Sequence, residues 1–390
     1  MDFKIAPETE NLRAKLEKFI ADEVLPLEKQ YNVNLNTIFP QEAVDKVRKR
    51  SVKLGFYGIE MPKRFSGKEI GLLALCILEE EIGRSGCALG GFILGDLGGP
   101  SRGSVLFDSC TEAQVKKYVM SIMKAEKTCC FAFTEPSGGS AASSIQTSAV
   151  KQGDSYIING TKTYVTYGPY ADVIILVAIT DKELGAHGGA TTFFVDKTTP
   201  GFKIAEVQNT ATLQGTNMEA TLTFKNCAVP VENVIGEVGK GFTTSMIRIN
   251  RSRIRWASSC VGVAEKLLKL STDYAKERVQ SGKPIAERDV IQAMLADMAT
   301  EIYAARCMVY DASWKVDQGM EARKEASMVK LFASEMVNRV ADRAVQIHGG
   351  AGLTIGHPVE TIYHRVRAAR IATGTSEMQR ATIAKALLTD

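Results

Sequence analysis

Residues 155–166 read Ser155-Tyr-Ile-Ile-Asn-Gly-Thr-Lys-Thr-Tyr-Val-Thr166, and the fold turns on this stretch. Tyr156, Ile157 and Ile158 are aromatic and β-branched, Asn159-Gly160 offers a hairpin turn, and a second β-rich run follows. Comparable short segments recur at 173–177, 191–195 and 221–224, separated by Gly, Asp and Asn. They predict a compact, mainly antiparallel β domain over 126–238.

Outward from it the texture changes on both sides. Toward the N-terminus, over 1–125, apolar residues recur at helical spacing in Leu12, Leu16, Phe19 and Ile20, and again in Ala43, Val44 and Val47. GLLALCILEEEIGR, residues 71–84, reads as a helix stopped near Gly86, and Thr111 opens another with an acid after it. Toward the C-terminus, over 239–390, amphipathic runs cover roughly 243–277, 287–317, 323–347 and 375–388, with Gly319 stopping the second. Helices, strands, helices: an α+β chain of three domains, closing in a four-helix bundle. No strand–GxGxxG–helix unit occurs, which argues against a Rossmann fold. Gly349-Gly-Ala-Gly352 follows a helix and reads as its C-cap.

The 390 residues are 45% hydrophobic and 24% charged, ordinary for a globular protein, with a spread net charge of +4 that gives nucleic acid no concentrated basic tract. No apolar run is long enough to span a membrane. The opening residues carry acids at helical spacing, unlike a targeting peptide. Eight scattered cysteines show no metal-ligand spacing, so no metal is expected; reduced, mostly buried thiols suit a cytoplasmic protein.

Several segments resemble those of the acyl-CoA dehydrogenase family. Phe131-Ala-Phe-Thr-Glu-Pro-Ser-Gly-Gly-Ser140 resembles its TEPGxGSD signature, with Ser137 for the first Gly and Ala141 for the Asp. Asn159-Gly-Thr-Lys-Thr-Tyr-Val-Thr166 resembles NGxKxWIT, with Tyr164 for Trp. Arg278-Val-Gln-Ser-Gly-Lys-Pro-Ile285 resembles RxxFGxxI, with Ser281 for Phe, and Gln346-Ile-His-Gly-Gly-Ala-Gly352 resembles QxxGGxG. Ile371-Ala-Thr-Gly-Thr-Ser-Glu-Met-Gln-Arg380 resembles YEGTSEIQR.

The resemblance implies a helical domain, a β-barrel-like domain and a four-helix bundle, with FAD between the last two and a neighbouring subunit. It assigns Phe131, Thr134, Ser140, Tyr164, Thr166, Arg278, Gln346, Gly350, Thr375 and Glu377 to FAD, and Ser140 and Arg253 to the acyl-CoA. Arg278 and Gly350 would reach a neighbour's cofactor, which implies a homodimer or a homotetramer built as a dimer of dimers. An electron-transferring flavoprotein would take the electrons. Arg248, Arg251 and Arg255 share a helix face and read mostly as a solvated or inter-helix surface.

The family's proton-abstracting glutamate stands in one of two places. In this chain those positions are Thr373 and Ser252, neither of which accepts a proton unaided at neutral pH. The acid left in view is Asp96, within the apolar, glycine-rich Gly90-Gly-Phe-Ile-Leu-Gly-Asp-Leu-Gly-Gly-Pro100. It is either a base with a pKa raised by desolvation or the cap of a helix starting at Leu97. As a base reaching beyond Cα, it suits a cyclic 1-ene-1-carboxyl-CoA, as in alicyclic acyl-CoA dehydrogenases of anaerobic aromatic-ring metabolism. Two alternatives stand: a desulfinase-like member cleaving a C–S bond without net redox, and an inactive acyl-CoA-binding flavoprotein.

Overall fold

The computed structural model describes residues 5–210 and 215–389. Pro7 opens the first helix, Pro7–Phe19, where its missing N–H costs nothing, and Glu8 and Glu10 sit in the first turn. A π-turn over Ile20–Val24 carries the chain into Leu25–Gln30. Helices Gln41–Leu54 and Leu72–Ser85 end on left-handed glycines, Gly55 (φ 74°) and Gly86 (φ 71°). Thr111 caps its short helix as expected: its Oγ1 accepts from Gln114 N at 3.3 Å while Gln114 Oε1 accepts from Thr111 N at 3.0 Å.

Eight strands form one sheet: β1 Cys129–Ala132, β2 Ser148–Gln152, β3 Ser155–Thr166, β4 Val173–Ile179, β5 Ala190–Asp196, β6 Phe202–Gln208, β7 Glu219–Pro230 and β8 Val234–Ile235. Their order is β6-β7-β3-β2-β4-β5-β8, with β1 beside β4. The principal ladders are antiparallel as expected, except that β1 runs parallel to β4. Ile158, Leu176, Phe193, Leu222 and Phe224 are among the side chains that fill the core on one face.

Asn159-Gly160 makes no hairpin. β3 runs straight through it, twelve residues long, with a bulge between Ile158 and Gly160. Gly160 (φ 154°) is required by close approach, since a Cβ there would lie 2.7 Å from Thr147 Cα. Asn159 Oδ1 instead accepts from Asn226 N at 2.8 Å, bridging β3 to β7. The turn into β3 is Gly153-Asp154, with Gly153 at φ 56°.

The C-terminal helices are Gly241–Glu277, Asp289–Asp317, Arg323–His348 and Ser376–Thr389, joined by a shorter one, Pro358–Val366, that the sequence reading did not include. Gly319 (φ 71°) and Gly349 (φ 58°) lie just past the two helix ends assigned to them. Among the described residues no helix is long and apolar enough to cross a membrane.

The chain divides into two compact units. One comprises Met1–Asn36, Gly71–Gly90 and Asn250–Asp390; the other comprises Thr37–Ile70 and Gly91–Ile249.

Candidate functional site

In the sheet-containing unit the loop after β1 is fastened by a buried ion pair. Lys162 Nζ lies 2.7 Å from Glu135 Oε1 and donates to Phe133 O at 3.0 Å. Glu135 also accepts from Gln146 N (2.7 Å) and Thr147 N (2.9 Å), so one carboxylate ties both ends of the loop to β3. Burial alone would raise this carboxyl's pKa; the Lys162 charge and these donors outweigh it and hold it below the usual range. Fastened at its ends, the loop leaves Ser137, Gly139 and Ser140 exposed, and a Cβ on Gly139 would meet nothing within 4 Å. Thr134, half-buried, accepts from Thr163 N through its carbonyl at 2.9 Å. Phe131 stacks on Phe133, rings 5.8 Å apart, and the Arg248 guanidinium lies 4.3 Å from its centroid. Arg248 also donates to Arg102 O at 2.6 Å, so it belongs to this packing and not to a solvated face.

Tyr164 and Thr166 end the same strand. Tyr164 occupies a bulge at φ 51°, a left-handed conformation uncommon for a bulky residue, and its side chain is 59% exposed. Gln208 Oε1 accepts from Tyr164 N at 3.1 Å, and Gln208 Nε2 donates to Thr163 at 3.0 Å, which steadies the bulge. Thr166 is half-buried opposite Glu219 of β7.

Asp96 lies on a turn and is half-buried, flanked by buried Leu94, Gly95, Gly98 and Gly99. The expected alternative, a helix cap, does not hold: residues 97–99 form no helix, and the next helical turn is the short Pro100–Arg102, preceded by Gly99. Glycines at φ 83° (Gly95) and 70° (Gly98) keep the chain turning where a helix would have to begin.

In the other unit, Arg253 is buried and its hydrogen-bond partners are neutral: Nε donates to Thr373 O at 3.0 Å and Nη1 to Asn250 Oδ1 at 2.9 Å. Burial, then the Arg323 charge, lowers its pKa to about 10. Lys330, fully buried, donates to Gly374 O at 2.6 Å, and Gln379 Nε2 reaches the same carbonyl at 3.0 Å. Three donors thus clamp a turn whose residues, Thr373 (φ 55°) and Gly374 (φ 100°), are both left-handed. Thr375 follows as the cap of the last helix, accepting from Met378 N at 3.3 Å, and Glu377 is exposed in that helix's first turn. Arg255 pairs with Glu79, an inter-helix role.

Arg278 is exposed just past the end of its long helix, before a hairpin turning on Ser281 (φ 52°) and Gly282 (φ 76°). Its amide donates to Tyr274 O at 2.8 Å, and the Tyr274 ring stacks 4.4 Å from His348. The exposed Gln346 and Gly350 flank His348, and a Cβ on Gly349 or Gly350 would meet nothing within 4 Å.

Family models for the acyl-CoA dehydrogenase N-terminal, middle and C-terminal domains match residues 6–126, 130–227 and 239–388. The chain belongs to the acyl-CoA dehydrogenase family. It is an oxidoreductase of CH–CH groups with that family's fold. It is 38% identical to the caffeyl-CoA reductase–Etf complex subunit CarC of Acetobacterium woodii, over 96% of this chain and 97% of that one. It is 36% identical to a 3-(aryl)acrylate reductase of Clostridium sporogenes, over 97% and 98%. Butyryl-CoA dehydrogenase of Megasphaera elsdenii superposes with a TM-score of 0.89 at 31% identity, over the whole of both chains.

Sequence reasoning missed Glu135, Lys162, Lys330 and Gln379. One signal was available for Lys162, which shares the strand parity of the buried Tyr156 and Ile158. A lysine on an apolar face calls for a buried partner.

Proposed function

We propose that this acyl-CoA dehydrogenase binds FAD and oxidises a cyclic 1-ene-1-carboxyl-CoA of the cyclohexene type by 1,4-dehydrogenation. The observation that carries the reading is the turn at 373–374. Its carbonyls are clamped by Arg253, Lys330 and Gln379, yet the side chain presented there is the hydroxyl of Thr373. Ser252, beside Arg253, offers only a second hydroxyl. A substrate already unsaturated at C1 has no Cα proton to lose, so neither position needs a base.

The residues suit FAD. The open amides around Gly139, Gly349 and Gly350 let a phosphate or ring approach the backbone, and Ser137 and Ser140 add hydroxyls. Phe131, Thr134, Ser140, Tyr164, Thr166, Thr375 and Glu377 would hold it, with Arg278, Gln346 and Gly350 reaching the cofactor of a second subunit. FAD, when bound, would supply the acceptor for the hydride from ring carbon C6. Asp96 takes the proton from C3, acidified through the conjugated double bond, and the product is the conjugated diene thioester. Arg253 and Ser140 hold the acyl-CoA.

The exposure of Arg278, Gln346 and Gly350 supports a homotetramer assembled as a dimer of dimers. An electron-transferring flavoprotein as acceptor is supported by the relative named as part of an Etf complex. Six of the eight cysteines are buried and none is disulfide-bonded, which supports a cytoplasmic protein.

The test is anaerobic mixing of the holoenzyme with cyclohex-1-ene-1-carboxyl-CoA, butyryl-CoA and an aryl acrylate thioester. Flavin bleaching and the diene mass are expected with the cyclic substrate, and Asp96→Asn should lower the rate about 10²–10⁴-fold. Full turnover by Asp96→Asn removes the base assignment. Sulfite release from a sulfinate-bearing thioester would favour desulfination, and no bleaching with any thioester would favour an acyl-CoA-binding flavoprotein.

A further inference from the structure

We propose that Tyr57 is a positioning residue for Asp96, held in place by Arg48; the inference rests on Asp96 being the base. The turn that carries Asp96 is shaped around two tyrosines. A Cβ on Gly99 would lie 2.5 Å from Tyr57 Oη, and one on Gly95, the residue before Asp96, would lie 2.7 Å from Pro100 Cδ and 3.3 Å from Tyr57 Cε2. A Cβ on Gly98 would overlap the Tyr167 ring. The missing side chains at Gly98 and Gly99 are therefore space the two rings reach, and at Gly95 Tyr57 shares that space with Pro100.

The ring of Tyr57 is itself fixed. Arg48, 3% exposed, donates from Nε to Tyr57 Oη at 3.2 Å and from Nη2 to Lys127 O at 3.1 Å, and its charge lies 5.7 Å from the Tyr57 ring centroid. Tyr167 packs edge-on against Phe92 at 5.9 Å. The backbone next to Tyr57 also holds the turn: Gly58 N donates to Leu94 O at 3.1 Å. On the far side, Cys129 N donates to Gly98 O at 2.9 Å.

A carboxyl that must meet a proton several carbons beyond the thioester depends on its backbone being placed to a fraction of an ångström. Tyr57 Oη touches the turn and accepts from Arg48 at once, so its hydroxyl links a buried cation to the base's backbone. Loss of that hydroxyl frees the ring without emptying its space.

The experiment uses FAD-loaded protein and cyclohex-1-ene-1-carboxyl-CoA, comparing Tyr57→Phe, Gly99→Ala and Asp96→Asn. Flavin content and thermal melting serve as folding controls. Tyr57→Phe is expected to lower kcat about tenfold, with KM changed less than about twofold, and to move the acidic limb of the kcat pH profile. Gly99→Ala should do the same more strongly; if it does not fold, Tyr57→Phe decides. An unchanged kcat and acidic limb in Tyr57→Phe, with Asp96→Asn inactive, overturns the positioning role alone. An active Asp96→Asn overturns both this role and the assignment of the base.

Discussion

Arg253 Nε donates to the carbonyl of Thr373 at 3.0 Å, tying the helix that carries Ser252 to the turn that carries Thr373. The two positions that lack the family's glutamate are thus neighbours of one hydrogen bond. The three clamps on the turn do not use residue 373's side chain, because Arg253, Lys330 and Gln379 all grip backbone oxygens, and Thr373 Oγ1 itself donates only to the adjacent Ala372 O at 2.7 Å.

A carboxylate at that position should therefore be presented without rebuilding the site. Thr373→Glu is expected to bleach the bound flavin with butyryl-CoA at least about 10²-fold faster than the unmodified protein, the usual contribution of a placed base. The left-handed φ of 55° is already tolerated by a β-branched residue and costs Glu no more. Stopped-flow absorbance under nitrogen measures the rate. No gain over the unmodified protein would mean that residue 373 does not face the Cα of a bound thioester.

The Glu135–Lys162 pair is a case where removing one partner should hurt more than removing both. Glu135→Gln leaves the Lys162 ammonium buried and unpaired, an expected loss of about 3–5 kcal/mol, while Glu135→Gln with Lys162→Met should recover part of it. The carboxyl sits below its ordinary pKa when folded, so its contribution is complete at neutral pH and lost as pH falls through that lowered value. Urea unfolding of the unmodified protein, Glu135→Gln, Lys162→Met and the double variant at pH 7 and pH 4 gives the coupling; equal losses in single and double variants would deny it.

How much of this was legible depended on whether the signal was local. Thr111 with Gln114, and glycines such as Gly86 and Gly319, mark helix ends through contacts within a few residues, and the sequence shows them directly. The β/helix alternation was likewise visible. Asn159-Gly160 misled because its local preference for a hairpin turn lost to pairing with β7, sixty-odd residues away, and to the close approach of Thr147. Lys162 with Glu135, Lys330 with Gly374 and Tyr57 with Gly95 and Gly99 are unions of distant segments, and no window of sequence contains them. Motif resemblance proposes the segments of the site, but the side chains that brace those segments come from tertiary packing.

Glu28 carries a pH dependence opposite in sign to that of Glu135. Its carboxylate is 8% exposed and accepts from Leu89 N at 2.7 Å. Burial, opposed by the Leu89 and Ala88 amides, pushes its pKa up to about 7. Between the unfolded value near 4.5 and this folded value, the folded chain binds more protons, so stability falls as pH rises through the window. Glu28→Gln keeps an acceptor for Leu89 and needs no ionisation. It should be more stable than the unmodified protein at pH 8 by roughly 2 kcal/mol, with little difference at pH 5. Melting curves at the two pH values decide; a gain of equal size at both would mean that Glu28 ionisation is not the cause.

Gly350 tests whether an exposed glycine of one chain serves a cofactor. Nothing lies within 4 Å of a Cβ built there, and its φ is not in the left-handed region, so a side chain is accommodated by the single chain without strain. Gly350→Leu should leave the flavin-free protein within about 0.5 kcal/mol of the unmodified one, as for other open surface positions. If backbone at 349–350 lies against FAD in the assembled protein, the same leucine occupies the space the cofactor needs. Purified Gly350→Leu is then expected to carry several-fold less FAD per chain, read from the ratio of flavin to protein absorbance. A full complement of FAD in Gly350→Leu would take this glycine out of the cofactor site and leave the cofactor with the loop after β1 and the turn at 375–377.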